Sequence, residues 1–177
     1  MEIFIIKTDM LQNVDENLLK KFKQKEISIA KKQQIHCLAY YLVDKLLKEN
    51  YKIENRKILF QNKKPIIINN QKHFSISHSN EYIALAFSDD NCGIDIEKIK
   101  NRDFKSIAQR MNFSVNNLED FYKEWTKFEA EYKLQASTKS IKNFNYNNYS
   151  ITATSTNSEE NFQIFFLNGN NFSKLKI

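Results

Sequence analysis

Three carboxylates and an ammonium are spaced in this chain so that they can share one site. Asp95 and Glu97 alternate with Ile94 and Ile96 in Gly93-Ile94-Asp95-Ile96-Glu97. In an extended strand, residues two apart lie on one face about 7 Å from each other. The two acids therefore point one way while the isoleucines enter a core. Glu129 and Lys133 lie in the stretch Trp125-Thr126-Lys127-Phe128-Glu129-Ala130-Glu131-Tyr132-Lys133. One helical turn separates them, so a third carboxylate and an ammonium share a helix face. Converging carboxylates repel, and a hard divalent cation relieves that repulsion. Asp95, Glu97 and Glu129 thus form a candidate magnesium site whose remaining positions suit phosphate oxygens. Read blandly, the same residues are solvated strand acids and an i,i+4 ion pair worth a few tenths of a kcal/mol.

The elements that must hold these residues follow from periodicity. Ile3 to Lys7 reads as a short strand, and Asp15 to Glu49 as two helices joined near Ser28. The second of these carries Ile35, Leu38, Leu42, Leu46 and Leu47 at helical spacing. Ile58 to Phe60 and Pro65 to Ile68 read as strands about a polar turn at Asn62. Phe74 to Ser77, Tyr82 to Phe87 and Cys92 to Glu97 read as a three-stranded meander, the last strand following the Asp89-Asp90-Asn91 turn. Phe104 to Met111 and Asn116 to Gln135 are helical, the latter with an aromatic stripe of Phe121, Tyr122, Trp125, Phe128 and Tyr132 expected to be mostly core. Asn143 to Asn148 reads as a loop, and Tyr149 to Ala153 and Phe162 to Leu167 as strands of a closing sheet. The expected fold class is α+β, with two similar α/β halves, each a small antiparallel sheet on a long helix, related by a pseudo-twofold. The halves are residues 1–90 and 91–177.

Composition narrows the functional classes. At 177 residues and 41% hydrophobic, the chain can bury a real core, which argues against disorder. Its 27 Lys and Arg against 21 Asp and Glu give a net charge of +6, a field that attracts an acidic protein, a nucleic acid or a polyphosphate. The positive residues gather at Lys20, Lys21, Lys23, Lys25, Lys31 and Lys32, then at Lys63 and Lys64. Cys37 and Cys92 lack metal-ligand spacing and read as buried free thiols in a reducing compartment. The amino-terminal apolar run is too short for a signal peptide and no segment suits a bilayer span, so a cytoplasmic location is expected. With 2 glycines in the chain, turns must rely on Asn and Ser, and Gly93 stands out.

With these residues in place, the chain resembles the 4'-phosphopantetheinyl transferase superfamily, and within it the single-chain, two-lobed surfactin-synthetase-activating type. Lys64-Pro65 and Phe74-Ser75-Ile76-Ser77-His78-Ser79 are similar to the family's G-K-P and F-N-x-S-H-S. Gly93 to Glu97 matches G-I-D-I-E, and Trp125 to Lys133 is close to W-x-x-K-E-A/S-x-x-K. The likeness runs from about Phe22 to Lys133. It implies magnesium-dependent transfer of 4'-phosphopantetheine from coenzyme A to a serine of an acidic apo carrier protein, with release of 3',5'-ADP. The carrier can belong to fatty-acid, polyketide or nonribosomal-peptide synthesis.

The resemblance also implies residue roles. Lys31, Lys32, Lys64, Pro65, Ser77, His78 and Ser79 would bind coenzyme A, Asp95, Glu97 and Glu129 the metal. Lys133 would neutralise the transferred phosphoryl group, and Glu129, directly or through a water, would be the base. Phe128 departs from the pattern, standing where the family has a lysine, and Lys31 and Lys32 stand where it offers arginines. A monomer suffices if two halves are fused, and neither a membrane nor a nucleic acid is an expected partner. Two alternatives differ in class: a degenerate member that binds coenzyme A without transferring it, and a basic nucleic-acid-binding module.

Overall fold

The computed structural model describes residues 1–8, 30–168 and 171–175, and side chains within 1–8 and 35–166. The first helix expected between Asp15 and Ser28, with its lysines, lies outside the described residues, as do the side chains of Lys31 and Lys32. The elements in order are β1 (Glu2–Lys7), α1 (Ala30–Glu49), β2 (Ile58–Gln61), β3 (Lys64–Ile67), β4 (His73–Ser79), β5 (Tyr82–Ser88) and β6 (Cys92–Lys98). They continue as α2 (Phe104–Met111), α3 (Leu118–Leu134), β7 (Ser140–Tyr146), β8 (Tyr149–Ser155), β9 (Gln163–Asn168) and β10 (Asn171–Leu175). The α+β class is observed. Among the described residues no helix is long and apolar enough to cross a membrane.

Two sheets lie between two long helices. The first has five strands in the order β10-β9-β1-β5-β4, and the second three in the order β6-β8-β7. Strand β1 is buried on both faces. Ile3 and Ile5 join Ala84, Ala86, Ile94, Ile96, Ile151 and Ala153 between the sheets. Phe4 and Ile6 join Ile83, Leu85, Phe87 and the Leu38, Leu42, Val43, Leu46 and Leu47 face of α1. Burial on both faces is why Ile3 to Ile6 reads as an unbroken apolar run. Helix α3 covers the outer face of the three-stranded sheet, and α2 packs on α3 through Ala108, Phe121 and Tyr122.

Several expectations are corrected. The strands Phe74 to Ser77, Tyr82 to Phe87 and Cys92 to Glu97 do not form a meander. β4 pairs with β5, but β6 pairs with β8 in the other sheet. The reason lies in β4, where alternate serines substitute for a neighbouring strand: Ser75, Ser77 and Ser79 Oγ accept the backbone N–H groups of Ile94, Ile96 and Lys98 at 3.1, 3.3 and 3.1 Å. Donors that would otherwise be orphaned on the edge of β6 are thereby satisfied. Residues 143–148 are not a loop. They belong to β7 and to a two-residue turn at Asn147 and Asn148, both with positive φ. The strands at Tyr149 and at Phe162 do not close one sheet. β8 joins β6 and β7, whereas β9 runs parallel to β1 in the five-stranded sheet. That pairing makes the first sheet mixed rather than antiparallel and carries carboxy-terminal residues across the boundary at residue 90.

Candidate active site

Gly93 fixes how closely α3 approaches β6. A Cβ at this residue would lie 2.0 Å from the Ala130 carbonyl oxygen and 2.9 Å from the Leu134 amide nitrogen. Only glycine lets the helix backbone rest on the strand. Beside it, the contact is built from hydroxyls: Thr126 Oγ1 meets Thr152 Oγ1 at 2.8 Å, and Thr154 Oγ1 donates to the Ala130 carbonyl at 3.3 Å. Asn117 caps the helix by accepting from the Asp120 amide at 2.9 Å. Trp125, Glu129, Tyr132 and Lys133 recur on one face of this helix, four, three and one residues apart, and overhang β6.

That overhang walls one cleft of about 550 Å3. Asp95, Glu97, Glu129, Lys133, Ser77, His78, Lys64 and Pro65 all line it, whereas Ser79, also expected at the coenzyme, does not. Asp95 is buried, 4% exposed. Its Oδ1 accepts from Ser77 Oγ at 2.7 Å and from Lys133 Nζ at 2.8 Å, while its buried Oδ2 has no hydrogen-bond partner among the described residues. Lys133 also donates to the Ile94 carbonyl at 3.1 Å. The ammonium therefore bridges helix to strand, and its ion pair is with Asp95 rather than the i,i+4 partner Glu129. Glu97 Oε2 accepts from Ser79 Oγ at 3.0 Å.

Ser77 and Ser79 thus each spend their one hydroxyl proton on a cleft carboxylate while accepting a β6 amide. Burial pushes the Glu97 carboxyl above its ordinary range, with the Asp95 charge adding to this and Ser79, Lys133 and Arg102 opposing it. Glu129 is raised for the same two reasons, burial and then Asp95, against Lys133. Among the described residues no three His, Cys, Asp or Glu side chains are drawn into a ready metal cage. Asp95, Glu97 and Glu129 share the cleft, but Lys133 already supplies one positive charge to Asp95. The donor set still fits a hard cation: three carboxylates, with one buried oxygen lacking a partner.

Lys64 is drawn inward. Its Nζ donates to Asn91 Oδ1, to the Cys92 carbonyl at 3.1 Å and to the Leu134 carbonyl at 3.1 Å. The last of these satisfies an orphan carbonyl at the end of α3. Burial pushes the Lys64 pKa down. Phe128 does not line the cleft. Its ring lies 6.0 Å from Phe113 and 6.5 Å from Trp125, so the aromatic stripe is core at Phe121 and Tyr122 and exposed at Phe128 and Tyr132. His36, Tyr40, Phe60 and Gln135 complete the lining without having been singled out in the sequence. Two of them, His36 and Tyr40, are one turn apart on α1, a spacing that could have flagged them.

No family model matches the chain. Two curated proteins do. It is 32% identical over 113 residues to 4'-phosphopantetheinyl transferase psf-1 of Bacillus pumilus, covering 55% of this chain and 48% of that protein. It is 39% identical over 75 residues to 4'-phosphopantetheinyl transferase gsp of Aneurinibacillus migulanus, covering 41% of this chain and 31% of that protein. The chain spans about half, or less, of the length of these relatives. The chain is thus similar in sequence to the 4'-phosphopantetheinyl transferases, the family that its motifs resemble.

Proposed function

We propose that the chain transfers 4'-phosphopantetheine from coenzyme A to a serine hydroxyl of an apo carrier protein, releasing 3',5'-ADP. The observation that carries this reading is the meeting of Asp95, Glu97, Glu129 and Lys133, from one strand and one helix, in a single cleft. Both relatives bear the name of this activity. Asp95, Glu97 and Glu129 would hold a magnesium ion, which supplies charge neutralisation for the diphosphate.

In phosphoryl transfer, positioning and electrostatics do most of the catalysis. The cleft provides both. Lys133, already poised at Asp95, is a cation within reach of a phosphoryl group brought beside that carboxylate. Glu129, half-buried on the same helix face as Lys133, is placed to accept the proton of an incoming serine hydroxyl. Ser77 and Ser79 hold Asp95 and Glu97 by hydrogen bonds, so the acids do not reorient when substrate arrives. The net charge of +6 favours encounter with an acidic carrier surface.

The test is direct. The chain is incubated with coenzyme A, magnesium and an apo carrier protein, and the carrier is weighed by intact-mass spectrometry. A gain of one phosphopantetheine supports the reading. Coenzyme A binding without that gain would show a degenerate, binding-only protein, and no binding would remove the reading altogether.

A further inference from the structure

We propose that Lys63, and not its neighbour Lys64, is the hairpin cation that grips a phosphate group of the coenzyme. The inference rests on the transferase reading and adds a residue to it. Three observations on the β2–β3 hairpin carry it.

First, the cleft needs a cation besides Lys133, whose charge is shared with Asp95. A coenzyme diphosphate would lie beside three carboxylates. Of the lysines lining the cleft, Lys133 is bonded to Asp95 and Lys64 to three protein acceptors. Burial pushes the His36 pKa below its usual value, which disfavours its charged form. Lys63 lines the same cleft, is exposed, and has no hydrogen bond or ion pair among the described residues.

Second, Lys63 occupies a backbone position that lysine fits poorly. Gln61 pairs with Lys64, so Asn62 and Lys63 form a two-residue turn, with φ of 49° and 67°. Positive φ at both central residues marks a type I′ turn, whose second position favours glycine or asparagine. Another such turn among the described residues, between Tyr146 and Tyr149, uses Asn147 and Asn148 with φ of 46° and 64°. A lysine where that turn has asparagine is a local cost, with no hydrogen bond or ion pair among the described residues that offsets it.

Third, the hairpin is anchored so that Lys63 cannot drift from the cleft. Lys64 fastens one side to Asn91, Cys92 and Leu134, and Gln135 Nε2 donates to the Asn62 carbonyl at 2.8 Å. Lys64 thus acts as the clamp and Lys63 as the exposed charge one residue away.

The experiment measures the binding of coenzyme A and of 3'-dephospho-coenzyme A by calorimetry, together with melting temperature, for wild type, Lys63→Asn, Lys63→Arg and Lys64→Met. Lys63→Asn is expected to melt higher by about 2 °C, because asparagine suits the turn. The same variant should bind coenzyme A about tenfold more weakly, with Lys63→Arg near wild type. A loss confined to coenzyme A places the contact at the 3'-phosphate, and an equal loss for both places it at the diphosphate. Either supports the proposal. Lys64→Met is expected to melt several degrees lower. If wild type binds and Lys63→Asn binds equally well, the proposal is overturned. It is also overturned if Lys64→Met melts like wild type yet loses binding. If wild type binds neither coenzyme, the transferase reading itself fails.

Discussion

Ser77 and Asp95 are joined by a hydrogen bond of 2.7 Å in which the serine gives its only hydroxyl proton to the carboxylate while its oxygen receives the Ile96 amide. One side chain therefore holds a strand and aims an acid. Ser77→Ala removes both functions and leaves a buried N–H without an acceptor, a loss of about 1–3 kcal/mol. Turnover should fall about tenfold or more, as for other groups that orient a ligand. Urea denaturation and steady-state transfer kinetics check the two effects, and unchanged turnover in a folded variant would refute the orienting role.

Lys133 and Asp95 form a coupled pair between helix and strand. Replacing Lys133 with Met leaves a carboxylate that is 4% exposed without its cation, and a cost of about 2–4 kcal/mol is expected. Asp95→Asn should cost less, since the amide oxygen still accepts from Ser77 and Lys133. The double variant should be more stable than the sum of the single losses predicts, by about 1–2 kcal/mol. Strict additivity in a denaturation cycle would mean the pair contributes nothing.

Gly93→Ala tests the seating of α3. The new methyl would overlap the Ala130 carbonyl oxygen, which is backbone and cannot rotate away. The helix must shift, at a cost of about 3 kcal/mol. Because Glu129 and Lys133 ride on that helix, turnover should fall by about a hundredfold, more than the stability loss alone would cause. Circular dichroism with transfer assays below the melting temperature separates the two.

Glu97 and Glu129 give the protein a defined pH response. Burial raises both pKa values above the ordinary glutamate value of 4.5, so the folded state binds their protons more tightly than the unfolded state does. Their contribution to stability is therefore fully present below about 4.5 and is lost as pH rises through the raised values. Glu97→Gln should melt like wild type below pH 4.5 and higher than wild type at pH 7. Melting curves across that interval check the sign, and a Gln variant less stable at pH 7 would reverse it.

Much of this site was legible in the sequence, because it is built from alternation and helical spacing. Ile94 and Ile96 are buried and Asp95 and Glu97 reach the cleft, as a period of two requires. Trp125, Glu129 and Lys133 share a face, as a period near four requires. Sheet membership was not legible. Nothing local to Cys92 through Lys98 distinguishes a third meander strand from one that pairs with β8, since both have the same alternation. The serines of β4 mark the difference, but only when their hydroxyls are seen to replace a ladder. The partner of Lys133 was equally hidden, because an i,i+4 glutamate and an acid on another element are indistinguishable in one dimension.

The parallel pairing of β1 with β9 has a consequence for how the molecule is made. Glu2 meets Gln163 and Ile3 meets Ile164, so β1 waits for a partner strand that is made much later in the chain. Until β9 leaves the ribosome, an apolar ribbon with one unpaired margin is on display. Such long-range closure is slow and invites association between nascent chains, so production of this protein should respond to lower temperature and to chaperones that shield strand margins.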